Sequence, residues 1–221
     1  MNILGIDTST PASAACLLRG DGQAFEVEPA AAALEERPAH SRELMPAVAR
    51  CLEEAGLGYR DLDVVAVGAG PGAFTGLRIG VATARGLARA CDAELRPVGS
   101  LAALALGVEE PVALPLIDAR RGELFGALYE HGRAILEPFA AAPEEVVARV
   151  RATAKTPLAV GDGSVGFREV LETAGIRVAP AGSRAHVVRG LSVCRLAAIA
   201  SGPPRESVLP DYLRLPDAKP L

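Results

Sequence analysis

The sequence predicts an α/β protein made of two topologically matched halves, each a mixed β-sheet flanked by helices. Three observations predict it. The chain opens on an apolar strand, Ile3-Leu4-Gly5-Ile6, which ends at Asp7 in a hydroxyl-rich turn and returns as Ala14 to Leu18. The same order recurs downstream, where Val112 to Ile117 is apolar, Asp118 opens a polar turn, and Leu124 to Tyr129 returns. Between them, Val64-Val65-Ala66-Val67 reads as a buried strand that runs through a glycine-rich loop into a helix from about Gly76 to Cys91. The repeated Ile-Asp pair divides the chain into residues 1–106 and 107–221.

The remaining elements follow in order. Gln23 to Glu28 is a third strand, and Pro29 to Pro38, rich in alanine and glutamate, is a surface connection. His40-Ser41 opens a helix in which Leu44, Val48, Cys51, Leu52 and Ala55 recur at helical spacing, and Gly56 stops it. Met45 widens that apolar stripe beyond one contact surface. A lone histidine such as His40 suits a capping or surface role better than a metal site. Thr75 is the expected N-cap of the helix after the glycine loop. Leu95 to Gly99 is a short strand, and Ser100 is expected to cap a helix reaching Leu106. Glu144 to Ala154 is helical, and Leu158-Ala159-Val160 is a strand turned by Gly161-Asp162-Gly163-Ser164. Helices follow at Arg168 to Ala174 and His186 to Ala200, then a Gly202-Pro203-Pro204 break, an extended tail from Leu209 to Arg214, and a frayed end after Leu215.

Composition narrows the function classes. The formal net charge of −4 over 221 residues supplies no bulk attraction for nucleic acid. Arg120-Arg121 and the arginines between Arg184 and Arg195 read as scattered surface charge. The longest apolar runs fall far short of the ~18 residues that span a bilayer. The first residues carry no basic region or cleavage site, so a cytoplasmic protein is expected. Cys16, Cys51, Cys91 and Cys194 form no Cys-x-x-Cys pair and read as buried reduced thiols.

The glycine loop admits two named phosphate-binding readings. A Walker A loop needs a lysine that Gly70 to Gly76 lacks. Gly68-x-Gly70-x-x-Ala73 matches the looser dinucleotide fingerprint, with Asp92 and Glu94 about 20 residues on. Pro71 and Gly72 interrupt that match, and the duplicated hairpins argue against one dinucleotide-binding sheet. Asp7 stands where phosphotransferases of the actin-like type hold a metal-nucleotide carboxylate, although an ordinary Asx turn places aspartate there too. The helix beyond the loop sets Gly76, Gly80, Ala84 and Ala88 on one face. Each interior glycine costs about 1 kcal/mol against alanine, so that face needs close packing, against this chain's own sheet or another subunit.

Taken together, Ile-Asp-Thr-Ser-Thr at 6–10, His-Ser-x-x-Leu-x-Pro at 40–46, Gly-Pro-Gly-Ala-Phe-Thr-Gly-Leu-Arg-Ile-Gly at 70–80, Ile-Asp-Ala-Arg at 117–120 and Pro-x-Tyr-Leu-Arg at 210–214 resemble the TsaB family. The resemblance implies a two-lobed fold of the actin, sugar kinase and Hsp70 type, with the terminal segment packing back on the first lobe. It implies a non-catalytic scaffold role in making threonylcarbamoyladenosine beside the tRNA anticodon, partnered by TsaD and, through that complex, by the ATPase TsaE. It also implies a homodimer when TsaD is absent, tRNA contact through the complex, no membrane, and ATP or ADP and a metal ion in the partner subunits only. The transferase paralogue uses a His-x-x-x-His pair for its metal, whereas His40, His131 and His186 lie far apart here, so no metal is expected.

The family's dimer surface maps onto Leu44, Met45, Val48, Cys51 and Leu52 of the first helix. On the second it maps onto Gly76, Gly80, Thr83, Ala84 and Leu87. A vestigial nucleotide site maps onto Asp7, Thr8, Ser9, Asp118, Gly161 and Gly163. Two other functions stand beside the scaffold: a phosphotransferase of the same fold using Asp7 and Asp118, and a dinucleotide-dependent dehydrogenase.

Overall fold

Each half forms a five-stranded mixed sheet with the same topology. The structure, a computed structural model, describes residues 1–200 and 208–213. The first sheet contains β1 (Ile3–Asp7), β2 (Ala14–Leu18), β3 (Ala24–Val27), β4 (Val64–Gly70) and β5 (Glu94–Gly99), in the order β3-β2-β1-β4-β5. The second contains β6 (Val112–Arg120), β7 (Glu123–Glu130), β8 (Arg133–Ala141), β9 (Leu158–Val160) and β10 (Arg177–Val178), in the order β10-β9-β6-β7-β8. In both, the founding strand pairs antiparallel with the next strand and parallel with the fourth. The duplication read from the two Ile-Asp hairpins is therefore a duplication of the whole sheet.

Helices fill the spaces between and outside the sheets. They are α1 (His40–Ala55), α2 (Phe74–Cys91), α3 (Ser100–Leu106), α4 (Pro143–Ala152), α5 (Asp162–Gly166), α6 (Arg168–Thr173) and α7 (Gly190–Ile199). Strand alternation assigns the layers, because successive side chains point to opposite faces. Leu4, Ile6, Val65 and Val67 pack with Leu44, Val48, Val81 and Ala84, so α1 and α2 cover the outer face of the first sheet. Ile3, Val64 and Ala66 meet Leu101, Leu104, Val193, Ala113 and Phe125, so α3 and α7 lie between the sheets. Leu114, Leu116 and Leu128 meet Val146, Val150 and Leu171 on the outer side of the second.

The placement of α7 requires two glycines. A Cβ on Gly5 would come within 2.7 Å of both Cys194 Sγ and the Gly190 carbonyl, and one on Gly190 within 2.6 Å of the Cys16 amide. The helix start is then held by Glu26 of β3, which accepts from the Leu191 amide at 3.0 Å and pairs with Arg189.

Several elements differ from the sequence reading. Phe74 opens α2, with Ala73 rather than Thr75 at the N-cap position, because the Ala73 amide bonds Ser9 O at 2.7 Å. Ser100 is the first residue of α3 rather than its cap, and its hydroxyl is drawn to Asp7. The connection after β3 holds a 3-10 turn at Ala31–Leu34. Gly161 precedes α5, which takes in Asp162, Gly163 and Ser164, and α7 begins at Gly190, preceded by a 3-10 turn at Arg184–His186. Strands β8 and β10 are additional. The Gly202-Pro203-Pro204 break and the end after Leu215 lie outside the described residues.

Gly76 and Gly86 of α2, nearly three turns apart, should respond oppositely to alanine. A Cβ on Gly76 would overlap the Thr8 carbonyl, whereas one on Gly86 meets nothing within 4 Å. Thermal melts should show Gly76→Ala destabilised by about 1–3 kcal/mol and Gly86→Ala stabilised by about 0.5–1 kcal/mol.

Candidate functional site

At the C-terminal end of β1 the side chains are turned inward and fully engaged. Asp7 is 1% exposed. Its Oδ1 accepts from the Ser9 amide at 2.8 Å and the Ser9 hydroxyl at 2.6 Å, and its Oδ2 accepts from the Ser100 hydroxyl at 2.9 Å. The Ser9 bonds make an Asx turn. Burial pushes the Asp7 carboxyl above its usual range, against the lowering effect of those donors. Thr8 Oγ1 donates to the Gly76 carbonyl at 2.8 Å, which locks the turn to α2. Gly68 faces Asp7, Gly72 faces Ser9, and Gly70 at φ +123° faces the Asp211 carbonyl. The glycine loop thus cradles this chain's own backbone and side chains. The dinucleotide fingerprint fails on that geometry, because the space a pyrophosphate needs is filled.

The matching end of β6 borders a cavity of about 470 Å³ between the halves. Its lining includes Glu35 and Glu36 from the first half and Asp118, Arg120, Asp162 and His186 from the second. Asp118 accepts from the Arg120 amide at 2.7 Å and its guanidinium at 3.0 Å. Asp162 accepts from the Asp118 amide at 3.3 Å and the Gly163 amide at 2.9 Å. His186 is 1% exposed, with Nδ1 3.3 Å from the Ser164 hydroxyl and Nε2 at 3.1–3.2 Å from the Pro180 and Ala179 carbonyls. Gly161 and Gly163 press on β6 and β7, where a Cβ on Gly161 would overlap the Leu116 carbonyl and one on Gly163 would meet Leu124 Cδ2 at 2.6 Å.

These residues do not fit a metal-nucleotide. Four carboxylates line the cavity, and Arg120, its sole cation, is already ion-paired. Asp7 cannot turn toward the cavity without abandoning three hydrogen bonds. Of the six residues expected at a vestigial nucleotide site, only Asp118 borders the cavity; Asp7, Thr8, Ser9, Gly161 and Gly163 are committed to internal packing. Among the described residues, no group of three or more His, Cys, Asp or Glu side chains converges as metal ligands do.

The expected partner residues divide by the direction they face. Leu44, Val48, Cys51, Leu52, Gly76, Gly80 and Ala84 are buried in the chain's own core, a correction to their assignment as a docking face. Close backbone packing on Thr8 explains Gly76 and Gly80. Met45, at 39% exposure, and the half-buried Thr83 and Leu87 reach the surface. The outward side of α2 adds Thr75, Ile79, Ala82 and Gly86, which the sequence reading missed. The interior glycines drew attention to the inner row, although Gly86 was legible as a glycine outside it.

His40 is another correction. It is 4% exposed rather than a surface cap, with Nδ1 2.8 Å from the Ser13 hydroxyl, which also reaches Glu43 Oε2 at 3.3 Å. Burial lowers the His40 imidazole below its ordinary range, against the opposing pull of Glu43. Of the four thiols, Cys91 is half-buried and the others are buried. Arg184 and Arg189 pair with Glu28 and Glu26.

Asp162 yields a pH-dependent prediction. Burial, reinforced by the nearby Asp118 carboxylate, raises it from 3.8 to about 6. A carboxyl whose folded value is raised favours the fold below its unfolded value, and that benefit is lost as pH rises from about 4 to 6. Asp162→Asn keeps an acceptor for both amides and removes the charge. It should stabilise the protein by about 1–3 kcal/mol at neutral pH, with the gain vanishing below about pH 4, as read by urea unfolding.

A family model described as TsaD, tRNA N6-adenosine threonylcarbamoyltransferase, matches residues 32–195. The chain is 36% identical over 139 residues to the tRNA threonylcarbamoyladenosine biosynthesis protein TsaB of Bacillus subtilis, covering 62% of this chain and 58% of that one. Its match to the Escherichia coli TsaB is 35% over 137 residues, covering 59% and 55%. The chain thus spans little more than half the length of these named relatives. It is also 33% identical over 220 residues to the uncharacterized Mycobacterium tuberculosis protein Rv3421c, covering 99% and 94%. A crystal structure of an uncharacterized Pseudomonas aeruginosa protein with similarity to the peptidase YeaZ has a TM-score of 0.78 at 32% identity, covering 96% and 99%. The family match takes in the glycine loop, both helices beside it and the whole second sheet, and the chain belongs to the TsaD family, with TsaB proteins among its relatives.

Proposed function

We propose that this chain is a non-catalytic subunit in threonylcarbamoyladenosine synthesis on tRNA, docking a catalytic TsaD through the outward face of α1 and α2. The observation that carries this reading is the internal commitment of this chain's own candidate catalytic side chains. Asp7 is held by three donors, and His40 and His186 are buried against hydroxyls and carbonyls of their own chain. The named TsaB relatives support the pathway. The outward side of α2 supports the docking role, since Thr75, Ala82 and Gly86 leave it thin enough for a second helix to approach closely. In this scheme TsaE and tRNA are met through the complex, and the same face closes a weaker homodimer only when TsaD is absent. No helix among the described residues is long and apolar enough to cross a membrane.

Gly86 is the position to test, because substitutions at Gly80 would strike Thr8 and confound folding with docking. Gly86→Leu should leave the melting temperature unchanged or higher and weaken association with TsaD at least about tenfold, read by calorimetry. Reconstituted transfer should depend on the wild-type chain and fall with the variant. Titration of the isolated chain with Mg-ATP should give no binding heat; micromolar binding with turnover would favour the phosphotransferase instead.

A further inference from the structure

The outward side of α2 carries charge of one sign. Its eighteen residues include Arg78, Arg85 and Arg89 and no Asp or Glu. Steps of seven and four put these arginines in one row along the helix, and all three are exposed. Among the described residues, Arg85 and Arg89 make no hydrogen bond or ion pair. Arg78 is held without being neutralised. Its guanidinium lies 3.8 Å from the centre of the Phe74 ring, its Nε donates to the Tyr212 hydroxyl at 3.1 Å, and the two rings are 5.2 Å apart. Tyr212 is itself fixed by the neighbouring Asp211 amide, which donates to Ala69 O at 2.6 Å, and by Val208, which is 1% exposed. On a chain of net charge −4, this row is a local reversal of sign.

Resting on the docking role proposed above, we infer that the arginine row of α2 selects an acidic partner: a TsaD helix that lies along Ala82 and Gly86 and presents carboxylates to Arg78, Arg85 and Arg89. The thin row beside the arginines lets a helix approach, and the approach brings its flanking carboxylates to three guanidiniums, one of them already oriented. A second copy fits less well. A two-fold axis through this face would set like charge near like charge, and repulsion opposes that pairing. RNA fits less well too, since a chain of net charge −4 offers a polyanion no bulk attraction beyond this row.

The test is calorimetric titration of the full chain with the TsaD encoded in the same genome, at about 50 and about 500 mM salt. Wild-type affinity should fall at least about tenfold across that range. Arg85→Glu/Arg89→Glu should bind at least about tenfold more weakly at low salt, keep its melting temperature, and lose most of the salt dependence. A wild-type complex indifferent to salt, matched by the double variant, overturns the inference while leaving the docking role intact. Loss of tRNA binding alone, with TsaD affinity unchanged, also overturns it and assigns the row to RNA. Loss of self-association alone in sedimentation overturns it in favour of a second copy. No complex with the wild-type chain sinks the docking role itself, and the inference with it.

Discussion

The contact that organises this protein is the seating of the Thr8-Ser9 turn in the glycine-lined start of α2. Side chains are excluded at Gly68, Gly72, Gly76 and Gly80 because Asp7, Thr8 and Ser9 occupy the space. Two hydrogen bonds, Ala73 N to Ser9 O and Thr8 Oγ1 to Gly76 O, fasten the approach. Each interior glycine costs helix stability, and here the return is a fixed direction for α2 across β4. The same contact draws Asp7 into the interior. One arrangement therefore both fixes α2 on the sheet and keeps the Asp7 carboxylate inside the fold.

The duplication shows how far the halves have diverged around a common sheet. The first half follows its fourth strand with an eighteen-residue helix, whereas the second uses the short α5 and α6. Their founding aspartates also differ. Asp7 is sealed among hydroxyls, while Asp118 remains at the rim of an acidic cavity, folded onto Arg120.

Much of this architecture was legible in the sequence. The two Ile-Asp hairpins announced the paired sheets, and the apolar spacing from His40 with Gly56 as its stop matched α1 in full. Other features depended on contacts that local pattern does not carry. Thr75 and Ser100 are good capping residues by type, yet a backbone bond to Ser9 and a carboxylate at Asp7 outcompete those local roles. Strand β8 is half-buried, lies at the sheet edge and contains Pro138, all of which weaken its alternation. The proposed docking face was the hardest to assign, because an apolar or small-residue row marks a helix's core side as readily as a partner's side. Thr8 resolved that ambiguity for Gly76 and Gly80 by standing against them.

The seat of α7 has a consequence for synthesis. Helix α7 closes the inner face of a sheet whose strands end at Gly99, using Gly5 and Gly190 to come within touching distance of β1 and β2. Until residues near Ile199 leave the ribosome, Ile3, Cys16, Val64 and Ala66 have no complete cover. Domains usually fold as units in the order they are made. Here the sheet must wait for a helix made about a hundred residues after its last strand, so the nascent chain carries an exposed apolar face over that interval.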